Sequence, residues 1–204
     1  MQDRPVEFTF QETMEGGFAL GAADPRIGAK QGNAEGSNLS MHATVIIRDL
    51  KAFIDDPQHL GELSGHIDFT PFGEAIPAYS GAFNLFSPAE DPLLKYMVYE
   101  LAFEHQNEPY YLAGQKEVKD DPGFDLWSDT TTLYTYPYKG ANTSGPVVGA
   151  GVLRLSVKEL LKLVSTMHVP NATSVSEKVQ AITAFGRFFL GDLWDSYGRR
   201  LLGS

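Results

Sequence analysis

The sequence contains no cysteine. That absence removes disulfides, thiolate metal centres and cysteine nucleophiles together. Basic residues are also scarce: 16 Lys and Arg stand against 26 Asp and Glu, for a formal charge of −10. An acidic surface repels phosphate backbones and anionic bilayers, and no Lys/Arg cluster is longer than Arg199–Arg200. Nucleic-acid binding is therefore not expected. No apolar run approaches the roughly 20 residues of a membrane-spanning helix, and the N-terminus lacks the apolar stretch of a secretory signal. These features predict a cytoplasmic location, with the periplasm left open.

Fingerprints of cofactor and nucleophile chemistry are missing too. Gly149-Ala150-Gly151 is half of a dinucleotide motif, but it leads into a strand, so no helix N-terminus faces a phosphate. Tyr79-Ser80-Gly81 lacks the flanking glycine of a hydrolase elbow, and no Gly-Lys-Ser/Thr loop occurs. No cofactor is expected.

What is present is β-structure. The 204 residues, 43% hydrophobic and 12% aromatic, suit a single β-rich domain over 1–204, in which Leu201–Ser204 reads as an expression remnant. Val6, Phe8 and Phe10 alternate with Glu7, Thr9 and Gln11, the pattern of a half-buried strand. Gly16-Gly17 predicts a bulge or bend, and residues 21–40, rich in Gly, Ala, Asn and Ser, read as a long loop. Further strands are predicted at Met41–Arg48, Gly61–Phe69, Ala78–Phe86, Lys95–His105, Tyr110–Lys119, Thr130–Tyr138 and Val147–Leu155. Asp49 caps a short helix through Ile54. Ser156 and Glu159 form a capping box for a helix to about Val164, and Ser174 and Glu177 open an amphipathic helix over about 175–197. The strand–cap–helix order of Thr44–Phe53 recurs in Val152–Leu161, an echo that suggests two related halves. The expected fold is mainly β: an antiparallel, lipocalin-like β-barrel, or a sandwich, with short helices and a C-terminal amphipathic helix. The barrel is preferred because closure leaves no exposed edges.

Candidate chemistry gathers in three places. Asp120, Asp121, Asp125 and Asp129 lie beside Trp127. Asp121-Pro122-Gly123 reads as a β-turn, and the spacing matches no EF-hand, so no metal is expected there. Asp121, Asp125 and Asp129 are the candidates for acid–base catalysis. Among the histidines, His42 and His66 sit on neighbouring predicted strands where they can share a face, but no pair is spaced like a zinc site, so they read as a surface or half-buried pair and no metal site is expected. The aromatic strands offer an interior that either packs as core or holds an apolar ligand; Tyr99, Tyr111, Lys116, Trp127 and Tyr134 are the candidate ligand contacts.

Four segments form an ordered set: Phe8-Thr-Phe-Gln-Glu-Thr-Met-Glu-Gly, Ser80-Gly-Ala-Phe-Asn-Leu-Phe, Gly114-Gln-Lys-Glu-Val-Lys-Asp-Asp-Pro-Gly-Phe-Asp-Leu-Trp-Ser-Asp-Thr-Thr-Thr-Leu and Phe185-Gly-Arg-Phe-Phe. Over almost the whole chain they resemble a region of long bacterial cholesterol-oxidase-like proteins. That region lies between a GMC-type flavin oxidoreductase part and an α/β-hydrolase part. The flavin Gly-x-Gly-x-x-Gly and the hydrolase Gly-x-Ser-x-Gly are both absent here, so the resemblance implies company with sterol or lipid chemistry and neither neighbouring activity.

Two functional readings follow. In the first, the chain is a non-catalytic module that binds an apolar, lipid- or sterol-like ligand or a partner, with a homodimer or an oxidoreductase or hydrolase domain as the partner. It requires a cavity. The second, a small enzyme, requires a carboxylate inside the barrel.

Overall fold

The computed structural model describes residues 4–91, 94–119 and 131–191. Eight strands close into an up-and-down antiparallel barrel in which each strand pairs with its sequence neighbours and β8 returns to β1. They are β1 Phe8–Leu20, β2 Asn38–Ile47, β3 Leu60–Phe69, β4 Gly73–Pro88, β5 Leu94–His105, β6 Glu108–Lys119, β7 Thr132–Lys139 and β8 Gly149–Arg154. Among the described residues four helices accompany them: α1 Pro25–Glu35, α2 Leu50–Asp55, α3 Val157–Thr166 and α4 Val175–Leu190. The expected mainly β architecture is present, and the barrel form with it.

Strand alternation fills the interior. Phe8, Phe10 and Met14 of β1 point inward with Leu39, Met41, Val45 and Ile47 of β2 and Leu63, Ile67 and Phe69 of β3. The outward positions between them are half-buried or exposed and, Ile46 apart, mostly polar. At one mouth Phe69, Phe72, Phe103 and Tyr110 pack ring on ring. At the other, α4 acts as a plug. Phe185 sits 4.6 Å from Phe8 and 5.2 Å from Phe10, and Phe188 meets Phe53 of α2 and Phe86 of β4.

Two sequence expectations need correction. Residues 21–40 are not a loop, because α1 occupies most of them. Asp24 accepts hydrogen bonds from the Arg26 and Ile27 amides, Pro25 takes the first helical position, and Gly36 closes the helix at φ 70°. The glycines that disguised this helix are what let it lie on the barrel: a methyl at Gly28 would stand 2.1 Å from the Ala150 carbonyl oxygen, and one at Gly32 2.2 Å from the Phe18 amide nitrogen. Gly16-Gly17 makes no bulge. The β1–β2 register runs unbroken from Phe8 to Gly17, and Gly17 is small because α1 backbone crosses it, 2.3 Å from where its Cβ would be.

The echoed segments both fold as strand, capping residue, helix, with Asp49 opening α2 and Ser156 opening α3. They pack differently: α2 meets α4, whereas α3 lies on the outer face of β1. Within α4, Ile182, Phe185 and Phe189 are buried as the periodicity requires, but Val175 and Val179 are exposed. Phe188 is half-buried against its aromatic neighbours, and Trp194 lies outside the described residues.

Candidate functional site

Inside the barrel the alternation of β1 is interrupted by charge. The inward series Phe8, Phe10, Glu12, Met14 places a carboxylate among apolar side chains, and Glu12 is 3% exposed. β6 does the same with an amine: between Gly114 and Val118 the inward position is Lys116, which is 0% exposed. The two meet in the interior, Lys116 Nζ standing 3.5 Å from Glu12 Oε1. Tyr99, inward on β5, completes the group. Its hydroxyl is 3.4 Å from Lys116 Nζ, and the ammonium lies 4.6 Å from the centre of its ring.

The electrostatics follow from burial. Loss of water pushes the Tyr99 phenol well above its ordinary value, and the neighbouring Glu12 carboxylate adds to the rise. The same desolvation lowers Lys116, against the opposing pull of Glu12. Both contacts of Lys116 exceed the roughly 2.7–2.9 Å of a strong charge-assisted hydrogen bond, which leaves the ammonium loosely held. An aromatic file connects the trio to the plug: Tyr99 to Phe83 at 5.2 Å, Phe83 to Phe10 at 6.2 Å, and Phe10 to Phe185.

The five candidate ligand contacts separate. Tyr99 and Lys116 come together in the interior. Tyr111 and Tyr134 fall on the outward registers of β6 and β7. Tyr111 donates a 2.5 Å hydrogen bond to Glu100, and burial together with that carboxylate raises its phenol. Tyr134 accepts from Arg26 of α1 at 3.1 Å. Trp127, Asp120, Asp121, Asp125 and Asp129 lie outside the described residues. Sequence reading missed Glu12, although a lone carboxylate in the inward register of a Phe-x-Phe-x-Glu-x-Met strand was the available signal.

His42 and His66 do share a face. They are direct cross-strand partners on the outer wall, and their rings stack at 4.5 Å. Asp68, two residues along β3, lies 3.0 Å from His42 Nε2. Beside them the outer wall of β1–β3 and helix α3 enclose a hollow of about 290 Å³, and a second of about 380 Å³ opens between α2 and the ends of β2 and β3.

No helix among the described residues is long and apolar enough to cross a membrane. Compared with protein-family models, curated proteins and solved structures, the chain matches none.

Proposed function

We propose that this barrel is a non-catalytic binding module for an apolar molecule with one polar head, sterol- or fatty-acid-like, in the service of lipid or sterol metabolism. One observation carries the reading: Glu12, Lys116 and Tyr99 are buried together where apolar side chains would serve stability equally well. Desolvating an ion pair costs several kcal/mol per ion, and packed hydrophobic residues of similar volume are often neutral or better. The Lys116 ammonium in an otherwise apolar barrel supplies a greasy surround and one donor for a hydroxyl or carboxylate. Because Lys116 is fully buried and the hollows of about 290 and 380 Å³ lie on the outer wall, the cavity this reading requires must open by displacement of packed side chains. The resemblance to the region between an oxidoreductase and a hydrolase part points to the same lipid class. Val175 and Val179, exposed on α4, offer a surface for a second copy or for a neighbouring oxidoreductase or hydrolase domain.

Equilibrium binding of cholesterol and of a long-chain fatty acid tests this. The wild type binds one of them saturably at one per chain. The Glu12→Gln/Lys116→Met double variant, which strands no charge, binds about 10–100-fold more weakly, the worth of a hydrogen bond to a charged group. Equal binding by both proteins would refute the role given to Lys116.

A second reading has its own support. Glu12 is a carboxylate buried in the barrel beside a phenol and an amine, the arrangement an acid–base enzyme requires. Chemical change in the bound molecule during incubation, abolished by Glu12→Gln, would favour it over simple binding.

A further inference from the structure

We propose that His42, His66 and Asp68 form a binding site for one zinc-class divalent transition cation on the outer wall of the barrel. Strand pairing creates the site, which is why sequence spacing concealed it. His42 and His66 face each other across the β2–β3 ladder, and Asp68 follows His66 by two residues on the same face. Each offers one ligand atom, and the three atoms all lie within 4.8 Å of one another. His42 Nε2 and Asp68 Oδ2 are 3.0 Å apart, close to the roughly 3.3 Å edge of a tetrahedron with bonds near 2.0 Å. His66 is the exposed member, stacked on His42 with its plane tilted only 17° from it. Binding requires that ring to turn out of the stack and bring a nitrogen to the same point.

The supporting contacts are of the kind that metal ligands use. Thr13 Oγ1 lies 3.2 Å from His42 Nδ1, so it fixes the ring while Nε2 faces outward. The Ala75 amide donates to Asp68 Oδ1 at 2.6 Å, which leaves Oδ2 to point at His42. Two ligands of three are thereby oriented by groups that would not have to move. Two imidazoles with one carboxylate suit zinc, nickel or copper rather than calcium or magnesium, which prefer oxygen throughout. Three protein ligands leave a fourth position for water or an anion. The adjoining hollow of about 290 Å³, lined also by Gln11, Thr44, Glu159 and Lys162, provides the room.

Zinc chloride titrated into the metal-stripped full chain by calorimetry, with cobalt(II) absorption as a second readout, tests the site. One equivalent binds the wild type, and cobalt gives the intense visible bands of low coordination. His66→Ala, an exposed change that leaves the barrel folded by its urea midpoint, loses both signals. Thr13→Val keeps the stoichiometry but binds about 10–100-fold more weakly, as expected when a ligand loses its outer hydrogen-bond partner. His105→Ala and His168→Ala bind like the wild type. Absence of zinc binding by the wild type overturns the proposal, and so does undiminished binding by His66→Ala.

Discussion

Lys116 Nζ stands 3.5 Å from Glu12 Oε1 inside a closed barrel, and each side chain is 1% exposed. The pair is bound by the cost of separating it. Lys116→Met or Glu12→Leu alone leaves an uncompensated buried charge and should destabilise the fold by about 3–5 kcal/mol, whereas the double variant should be close to neutral or more stable than the wild type. Urea denaturation of the four proteins in a double-mutant cycle measures this. Additive losses would show that the two charges do not depend on each other.

Alkaline pH should act on the interior in two opposed directions. The folded state lowers Lys116 below its ordinary 10.5. In the window between the depressed value and 10.5 the unfolded chain holds the extra proton, so stability rises with pH. Tyr99, and also Tyr111 and Tyr136, are raised above the ordinary 10.0 by burial. Their contribution is complete below about pH 10 and is lost as pH climbs toward the folded values. Phenolate absorbance should therefore show part of the nine tyrosines ionising only as the protein unfolds, and Tyr99→Phe should shrink that fraction. A single smooth titration of every phenol at its ordinary value would contradict the buried placement.

Helix α1 rests on glycine contacts, so a methyl should dislodge it. At Gly32 the added carbon would stand 2.2 Å from the Phe18 amide nitrogen and 2.6 Å from the Ser37 carbonyl oxygen, both backbone atoms. The overpacking cost of about 1–3 kcal/mol should outweigh the roughly 1 kcal/mol that alanine gains over glycine in a helix. Lys30→Ala, on the exposed side, should stay within about 0.5 kcal/mol of wild type. Thermal melts of the two variants separate the cases; equal melts would mean that α1 is not seated this closely.

That helix also shows where sequence reading reached and where it stopped. Period-two alternation and the Pro, Gly, Asp and Asn turns between runs located the strands, because burial of one face leaves a mark every second residue. β8, buried at five consecutive positions, carries no such mark and was placed by its apolar run alone. Helix caps at Asp49, Ser156 and Ser174 were legible for a similar reason: each is a short polar side chain answering free amides. α1 was hidden because Gly28 and Gly32 count against a helix locally while serving close packing that only the fold reveals. Lys116 and Tyr99 were named from aromatic strands, but Glu12 was not, since its partner is 104 residues away. The His42–His66 stack was anticipated as a shared face. Its carboxylate was not, because the relation of Asp68 to His42 depends on strand register.

The plug should be separable from the wall. Phe185 contacts Phe8 and Phe10 and is 0% exposed. Phe185→Ala should cost about 3–5 kcal/mol as a large core truncation. Through Phe10 and Phe83 it should also loosen Tyr99, which hydrogen–deuterium exchange of β5 would detect. Unchanged exchange in β5 would confine Phe185 to a capping role.

Native mass spectrometry of the purified full chain, followed by extraction and identification of any retained molecule, shows whether the barrel carries an amphiphile. The wild type should carry one sterol, fatty acid or similar amphiphile per chain, and Glu12→Gln/Lys116→Met should lose it. A wild type that carries nothing, and takes up neither a sterol nor a fatty acid when offered them in excess, would contradict a binding role.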